Sequence, residues 1–221
     1  MLKNILLAGA FVVGGFSPMA QAAVLANYDY SPASGISLAV TSTAADVGAT
    51  ALVLTNADNT TSAFDNHFYH NNWDTTLNTS KYYELTLSSA KALYLSTIDF
   101  SLEDTDNGAA SYALRSSADG FASNLGSGAL AASGLVTDFS VDATSLGTIT
   151  GPITFRWYMM TAQTFTNVGF ANHNSPGSGF GLPDVGVDLS INGEIPEPAT
   201  LGLFGLGLAG LGLAARRRKT A

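Results

Sequence analysis

The stretch of sequence that decides the fold class spans residues 82–87 and reads Tyr82-Tyr83-Glu84-Leu85-Thr86-Leu87. Apolar side chains occupy every second position, and successive side chains of an extended chain point to opposite faces. Tyr83, Leu85 and Leu87 therefore share one face, while Glu84 and Thr86 share the other. This alternation predicts a β-strand with one face in a hydrophobic core and the other in solvent.

The same two-residue period recurs through the central part of the chain, residues 23–195, where no window shows a helical period. The clearest further segments are residues 93–102, 111–116, 137–142, 153–160, 164–170 and 185–191, and the weaker ones are 24–30, 36–40 and 51–54. Turn-forming runs such as Asp106-Asn107-Gly108 and Asp119-Gly120 separate them. About ten short strands predict an all-β fold, an antiparallel two-sheet β-sandwich of the jelly-roll type.

The charge of this central domain is one-sided. It holds four basic and sixteen acidic residues, a net charge of −12, whereas the whole chain carries −8. Such a domain repels nucleic acid and anionic lipid surfaces, which excludes the classes of protein that work by binding them. The composition suits a soluble extracellular protein. The chain has no cysteine, so it does not use the disulfides that an oxidising compartment would allow.

The amino-terminal residues 1–22 have the three parts of a secretory signal peptide. Lys3 supplies the positive charge, residues 5–16 form the apolar part, and Ala20-Gln21-Ala22 is a small-x-small cleavage site. We therefore predict export by the Sec machinery and removal of this peptide by signal peptidase. The mature chain would then begin at Ala23.

The last 26 residues, 196–221, combine three features that point to a membrane. Pro196-Glu197-Pro198 is stiff and accessible, because proline fixes φ and cannot donate a backbone hydrogen bond. Residues 201–215 are apolar and uncharged and would form about 22 Å of helix, short for a comfortable membrane span. The cationic cluster that follows favours the cytoplasmic side of a membrane and consists of Arg216, Arg217, Arg218 and Lys219. Together these features predict one C-terminal transmembrane helix with its end in the cytoplasm.

This tail resembles the PEP-CTERM sorting signal of Gram-negative bacteria, which is recognised by a membrane enzyme called exosortase. The resemblance implies that Pro196, Glu197 and Pro198 form the sorting motif and that the chain is held only transiently in the inner membrane. Its destination would be the cell surface or the extracellular space. If the apolar run 201–215 is considered alone, the alternative interpretation is a permanent tail anchor. The predicted organisation is a signal peptide at 1–22, a β-sandwich at 23–195 and a sorting signal at 196–221.

A second resemblance lies in the middle of the chain, in residues 81–87, Ile98-Asp99-Phe100 and residues 111–121. These segments look like a β-sandwich domain that is common in PEP-CTERM proteins. The resemblance implies a surface or extracellular-matrix protein, often encoded alongside exopolysaccharide production, and it implies no catalytic residue. We therefore expect a non-enzymatic protein of the biofilm matrix, associated with exopolysaccharide. The alternative from another class is a secreted glycan-active hydrolase.

One segment of the domain, residues 64–74, holds four aromatic side chains, three asparagines, two histidines and two aspartates. Aromatic rings stack on sugar faces, and amides and carboxylates bind sugar hydroxyls. The segment would therefore suit a glycan contact made by Tyr69, Asn71, Asn72, Trp73 and Asp74. We favour the other interpretation, an inter-strand loop in which Tyr69 and Trp73 plug the edge of the sandwich and the asparagines cap turns.

The sequence contains no pattern specific enough to predict a metal site or a cofactor. His67 and His70 with Asp65 or Asp74 form too weak a motif for a metal. Residues 103–108 offer oxygen ligands for Ca²⁺ but lack the third ligand and the closing glutamate of an EF-hand, which favours a solvated turn.

Catalysis has no support in the sequence, because none of the three histidines sits in a nucleophile motif. Glutamates are also scarce, which weakens the case for a glycosidase with paired carboxylates. Arg156-Trp157-Tyr158 is predicted to lie in a strand that packs one face in the core, with Arg156 paired to an acidic neighbour.

Overall fold

Fifteen β-strands and two short 3-10 helices form the described part of the chain in this computed structural model, namely residues 22–30, 36–57, 67–104, 109–131, 135–162, 167–171 and 188–196. Apart from Ala22, the predicted signal peptide lies outside these ranges, as do residues 197–221. The strands are β1 (Ala23–Tyr28), β2 (Ser37–Leu38), β3 (Ser42–Thr43), β4 (Val47–Ala49), β5 (Leu52–Thr55), β6 (His67–His70), β7 (Tyr82–Ser89), β8 (Leu93–Asp104), β9 (Ala110–Ser116), β10 (Gly126–Ala129), β11 (Val136–Asp142), β12 (Thr148–Ile149), β13 (Ile153–Thr161), β14 (Val168–Ala171) and β15 (Leu189–Glu194).

The first sheet is built around β8, a strand of 12 residues. β15 and β14 pair with one edge of β8, and β11 and β12 pair with the other. β1 and then β3 continue the sheet beyond β15, and β6 continues it beyond β14. All of these pairings are antiparallel.

The second sheet contains the decisive segment as β7. Its strand order is β10-β9-β13-β7-β5-β2, and β4 pairs with β7 beside β5. Tyr83, Leu85 and Leu87 are all buried, whereas Glu84 and Thr86 are partly exposed, as the alternation predicts. β13 alternates in the same way and lies between β7 and β9.

The core lies between the inner faces of the two sheets. Phe100 and Phe170 from the first sheet meet Trp157 and Tyr83 from the second, and all four side chains are fully buried. Ring centroids are 5.8 Å apart for Phe100 and Trp157 and 5.2 Å apart for Tyr83 and Phe170. These distances suit the edge-to-face packing that aromatic quadrupoles favour. The two sheets therefore face each other as a sandwich.

Glycines let the two sheets approach closely along one edge. A Cβ atom on Gly128 of β10 would come 2.8 Å from the ring of Phe139 of β11. The Phe139 ring in turn packs on Tyr112 of β9, with centroids 4.5 Å apart. Gly128 thus makes room for an aromatic contact between the sheets.

The first and last strands of the sandwich lie side by side. Ala23 at the start of β1 is paired with Gly193 near the end of β15. Glu194 is paired with Tyr94 near the start of β8, and we name this the tail end of the sandwich. The opposite end, here the far end, is marked by Val168 of β14, which pairs with Asp104. The two ends are separated by roughly 33 Å along β8.

The all-β class and the two antiparallel sheets are confirmed, and the jelly-roll connectivity stays a prediction. The segment predicted at 185–191 overlaps β15, which extends further, to Glu194, through pairing with strands on both sides, and residues 185–187 lie outside the described ranges. Five strands of two to four residues were not predicted, namely β3, β4, β6, β10 and β12. Strands this short carry too few alternating side chains to show a period. β10, for example, reads Gly-Ser-Gly-Ala.

Candidate functional site

The predicted glycan-binding segment begins as a strand and lies at the far end. β6 pairs with β14, with Phe68 opposite Phe170 and His70 opposite Val168. Phe68 and His70 are both buried, two positions apart, as expected for the inner face of a strand. With only two inward side chains, β6 is too short to show a period in the sequence.

Trp73, three residues after the end of β6, is fully buried. Its indole nitrogen donates hydrogen bonds to the carbonyl oxygens of His70 at 2.7 Å and Val168 at 3.2 Å. Its ring packs on Tyr83 with centroids 5.3 Å apart. A ring with no exposed face cannot stack on a sugar, so the structure contradicts that role for Trp73. The alternative interpretation, a plug, describes its position.

Tyr83 completes a buried polar cluster beneath the segment. Its hydroxyl donates to the carbonyl oxygen of Val168 at 3.0 Å and lies 3.0 Å from Nδ1 of His70. Burial raises the pKa of Tyr83 well above its ordinary value, so the hydroxyl stays protonated. This cluster fixes the floor of the segment through side chains from both sheets.

The polar residues that follow form a rim, defined here as Asn72, Asp74, Asn78 and Lys81. Lys81 Nζ donates to the carbonyl oxygen of Asn72 at 2.6 Å and to the Asp74 carboxylate at 3.0 Å. Asn72 has a positive φ of 64°, a conformation that asparagine tolerates better than most residues. Hydrogen bonds from Asn78 and Lys81 lower the pKa of Asp74. The rim is therefore a pre-arranged and partly exposed set of donors and acceptors.

The remaining predicted glycan contacts are less defined. Asn71 is partly exposed, and its amide oxygen is buried without a hydrogen-bond partner in the described part of the chain. Tyr69 lies on β6 opposite Gly169, and its side chain is outside what the structure describes. Glycan binding by Tyr69, Asn71, Asn72 and Asp74 stays a prediction. Sequence reasoning missed Lys81, because no spacing signal links it to Asn72 and Asp74.

The candidate Ca²⁺ segment is only partly described. Glu103 and Asp104 close β8 and are buried, which corrects the prediction of a solvated turn at these two positions. Their burial follows from β8 lying in the middle of the first sheet, between β14 and β11. Residues 105–108 lie outside the described ranges. Among the residues that the structure does describe, no three His, Cys, Asp or Glu side chains are grouped to hold a metal ion.

The predicted pairing of Arg156 is confirmed. Its Nε donates to the Glu84 carboxylate at 2.6 Å, across the β13–β7 pair. The guanidinium lies between two rings, 4.2 Å from the centroid of Tyr82 and 4.0 Å from that of Phe121. Trp157 faces the core, as predicted. Phe121 has a positive φ of 64°, which is strained for a bulky residue, so its contact with Arg156 holds the loop after β9 in an unusual conformation.

The predicted sorting motif starts where the last strand stops. β15 ends at Glu194, and Pro196 is exposed two residues later. The other predicted tail residues lie outside the described ranges, namely Glu197, Pro198, Arg216, Arg217, Arg218, Lys219 and the apolar run 201–215. In the ranges that are described, no helix has the length and apolar character to cross a membrane.

Comparison with known proteins identifies the tail. The sequence profile of the PEP-CTERM protein-sorting motif matches residues 194–219, which confirms the predicted resemblance. No curated protein and no solved structure gave a significant match. The matched segment begins at the last residue of β15. The match therefore concerns the sorting tail, and the chemistry of the sandwich has to be inferred from its structure.

Proposed function

We propose that this chain, which carries a PEP-CTERM protein-sorting motif, is an exported protein that exosortase sorts to the cell surface or extracellular matrix. Its β-sandwich would associate there with exopolysaccharide without catalysing a reaction. The observation that carries this proposal is the match of the sorting motif to residues 194–219, directly after a folded all-β domain.

The proposed route starts with export by the Sec machinery and removal of residues 1–22 by signal peptidase. The apolar run 201–215 would then halt in the inner membrane, with Arg216 to Lys219 on the cytoplasmic side. Exosortase would act on the chain at Pro196, Glu197 and Pro198. Because β15 ends only two residues before Pro196, the motif leaves the sandwich without a long linker.

Association with a glycan is supported by the position and chemistry of the rim. The rim follows β6 at the far end, roughly 33 Å from the start of the tail along β8. It lies at the end of β8 opposite the one where β15 ends. Its amides, carboxylate and ammonium group complement sugar hydroxyls, which both donate and accept hydrogen bonds.

Three carboxyl groups of the domain bear on the alternative of a glycan-active hydrolase. A glycosidase needs one carboxylic acid whose pKa is raised, so that it stays protonated as a general acid. Asp74, Asp119 and Asp142 all have lowered pKa values, because hydrogen bonds from neighbouring donors favour their charged forms. These three groups are therefore poor general acids, and a glycan-active hydrolase would have to use other carboxyls of the domain.

The sorting half of the proposal is tested in producing cells by deleting residues 196–221. We expect the truncated protein to lose membrane and surface fractions and to appear in the soluble extracytoplasmic fraction. Intact mass analysis of the full-length protein should show a tail shortened near Pro196. A narrower variant is Glu197→Gln, which removes the charge of the motif and leaves the apolar run intact, and which should reduce the shortening of the tail while the protein stays with the membrane. Identical processing and distribution of full-length and truncated proteins would refute exosortase sorting.

The glycan half is tested with exopolysaccharide purified from the same cells. We expect the protein to be retained on the polysaccharide without releasing reducing ends. Asn72→Ala and Asp74→Asn should weaken retention, because they change rim groups. Release of reducing ends would favour the hydrolase, and no retention at all would refute the polysaccharide association.

A further inference from the structure

A surface cleft of about 290 Å³ lies beside the loop that joins β9 to β10. Its polar wall is formed by side chains of this loop and of the 3-10 turn after β11, and its apolar wall by two leucines. The residues that matter here are Ser116, Asp119, Asn124 and Ser145 on the polar side and Leu125 and Leu146 on the apolar side. The cleft is separate from the rim, because β9 and β11 both end on the side of the molecule away from it.

Hydrogen bonds made by Arg115 and Asp119 hold the loop that forms the cleft in one conformation. Arg115 donates through Nε to the Asn124 amide oxygen at 2.8 Å and through its terminal nitrogen to the carbonyl oxygen of Phe121 at 3.0 Å. The Asp119 carboxylate accepts the backbone N–H groups of Ala122 at 3.1 Å and Ser123 at 2.9 Å. Such a loop binds a ligand without first being ordered, which lowers the entropic cost of binding.

The polar side chains of the cleft keep hydrogen-bonding capacity that the fold does not use. Ser116 is buried yet makes no side-chain hydrogen bond to cap the 3-10 turn that follows it. Arg115 occupies the amide oxygen of Asn124, which leaves the amide nitrogen as a donor of two hydrogens. The Asp119 carboxylate is largely occupied by donors of its own loop, so it shapes the cleft and contributes its charge. Together with the exposed Ser145, Ser116 and Asn124 can meet several hydroxyls at once.

We propose that this cleft binds one neutral sugar unit of the exopolysaccharide. Sugar hydroxyls would bond to Ser116, Asn124 and Ser145, and the C–H face of the ring would lie on Leu125 and Leu146. A neutral sugar is proposed over an anionic one, because the carboxylate of Asp119 lines the cleft and the domain carries a net charge of −12. The inference rests on the proposed association with exopolysaccharide and gives it a second site.

The test measures retention of the full chain, in detergent, on exopolysaccharide purified from the producing cells. Ser145→Trp fills the cleft and Asn124→Ala removes a donor, and each should weaken retention at least tenfold. The matched control is Ser42→Trp, which places the same side chain on an exposed strand residue elsewhere and should change nothing. Thermal unfolding of each variant checks that the fold is intact.

Salt separates a neutral ligand from a charged one. Raising NaCl from about 0.05 M to about 0.5 M shortens the range of charge interactions severalfold, so retention by a neutral sugar should stay unchanged.

Full retention by folded Ser145→Trp and Asn124→Ala overturns the cleft proposal while leaving the polysaccharide association in place. Retention that is strongly weakened or strengthened by salt overturns the assignment of a neutral sugar. If the unmodified chain is not retained at all, the proposed association fails, and the cleft proposal fails with it.

Discussion

The hydroxyl of Tyr83 donates a buried hydrogen bond to the carbonyl oxygen of Val168, at 3.0 Å. Tyr83 belongs to the second sheet and Val168 to the first, so this bond joins the two layers at the far end. The indole nitrogen of Trp73 reaches the same carbonyl oxygen at 3.2 Å. One backbone acceptor thus anchors two aromatic side chains beneath the rim.

Tyr83→Phe should lower the free energy of unfolding by about 1–2 kcal/mol, because a buried hydrogen bond between the sheets is lost and His70 loses a neighbour for Nδ1. The measurement is urea unfolding of the purified chain followed by tryptophan fluorescence. The control is Tyr94→Phe, whose side chain is exposed and which should leave the midpoint unchanged. Equal midpoints for both variants would show that the buried hydroxyl contributes no stability.

Gly128→Ala should destabilise the sandwich by about 1–3 kcal/mol, because the new methyl group would press on the Phe139 ring. Gly151→Ala is the matched control, since a Cβ at Gly151 would meet nothing within 4 Å. That control should be neutral or slightly stabilising. Thermal unfolding of the two variants under identical conditions compares them. A neutral Gly128→Ala would mean that the β10–β11 edge relaxes more easily than the close contact indicates.

Arg156→Lys should loosen the loop that carries Phe121, because a lysine keeps the charge but cannot lie flat between two rings. We expect a stability loss of about 1 kcal/mol and faster chymotrypsin cleavage after Phe121. Lys91→Gln is the control, since its ion pair with Asp46 is exposed and should contribute little. Cleavage at the wild-type rate in Arg156→Lys would contradict the clamping role.

The Asp74 carboxyl should make stability depend on pH in acid. Its pKa in the folded state is lowered from the ordinary 3.8 by Asn78 and Lys81. The folded state therefore favours the charged form, and this stabilisation is complete above pH 3.8 and is lost as pH falls through the lower, folded pKa.

Comparing wild type with Asp74→Asn tests this dependence. The difference in their unfolding midpoints should be largest near neutral pH and should shrink as pH falls below 3.8 and through the lowered pKa of folded Asp74. Asn78→Ala removes the largest cause of the shift and should give a weaker form of the same dependence. A difference that is constant over the whole range would show that Asp74 stabilises the fold without its charge.

The strands that could be predicted are those in which large apolar side chains mark the inner face. β7, β8 and β13 are long enough to show the period, and their inward positions form the core. The plug role of Trp73 was among the interpretations of the sequence, but the hydrogen-bond partners of Trp73 and Lys81 could not be predicted, because only the fold brings these partners to them. Val168 lies 95 positions after Trp73, and no local pattern encodes that contact.

The sorting signal was predictable for the opposite reason. The matched motif is one continuous segment, residues 194–219, so the linear order of Pro196-Glu197-Pro198, the apolar run and the basic cluster itself carries the information. The partner of Arg156 was only half predictable. An arginine in a half-buried strand needs an acidic neighbour, and this much could be predicted. That the neighbour is Glu84 followed only from the register of the β13–β7 pair.

Because Ala23 is paired with Gly193, the first and last residues of the sandwich domain lie close together. A few glycine and serine residues would suffice to join Glu194 back to Ala23, because paired residues of antiparallel strands are only about 5 Å apart. New ends could then be opened in the turn between β7 and β8, at exposed Ala90 and Lys91. Such a circular permutant would keep every strand pairing, and its tail could be attached at a different point of the same fold.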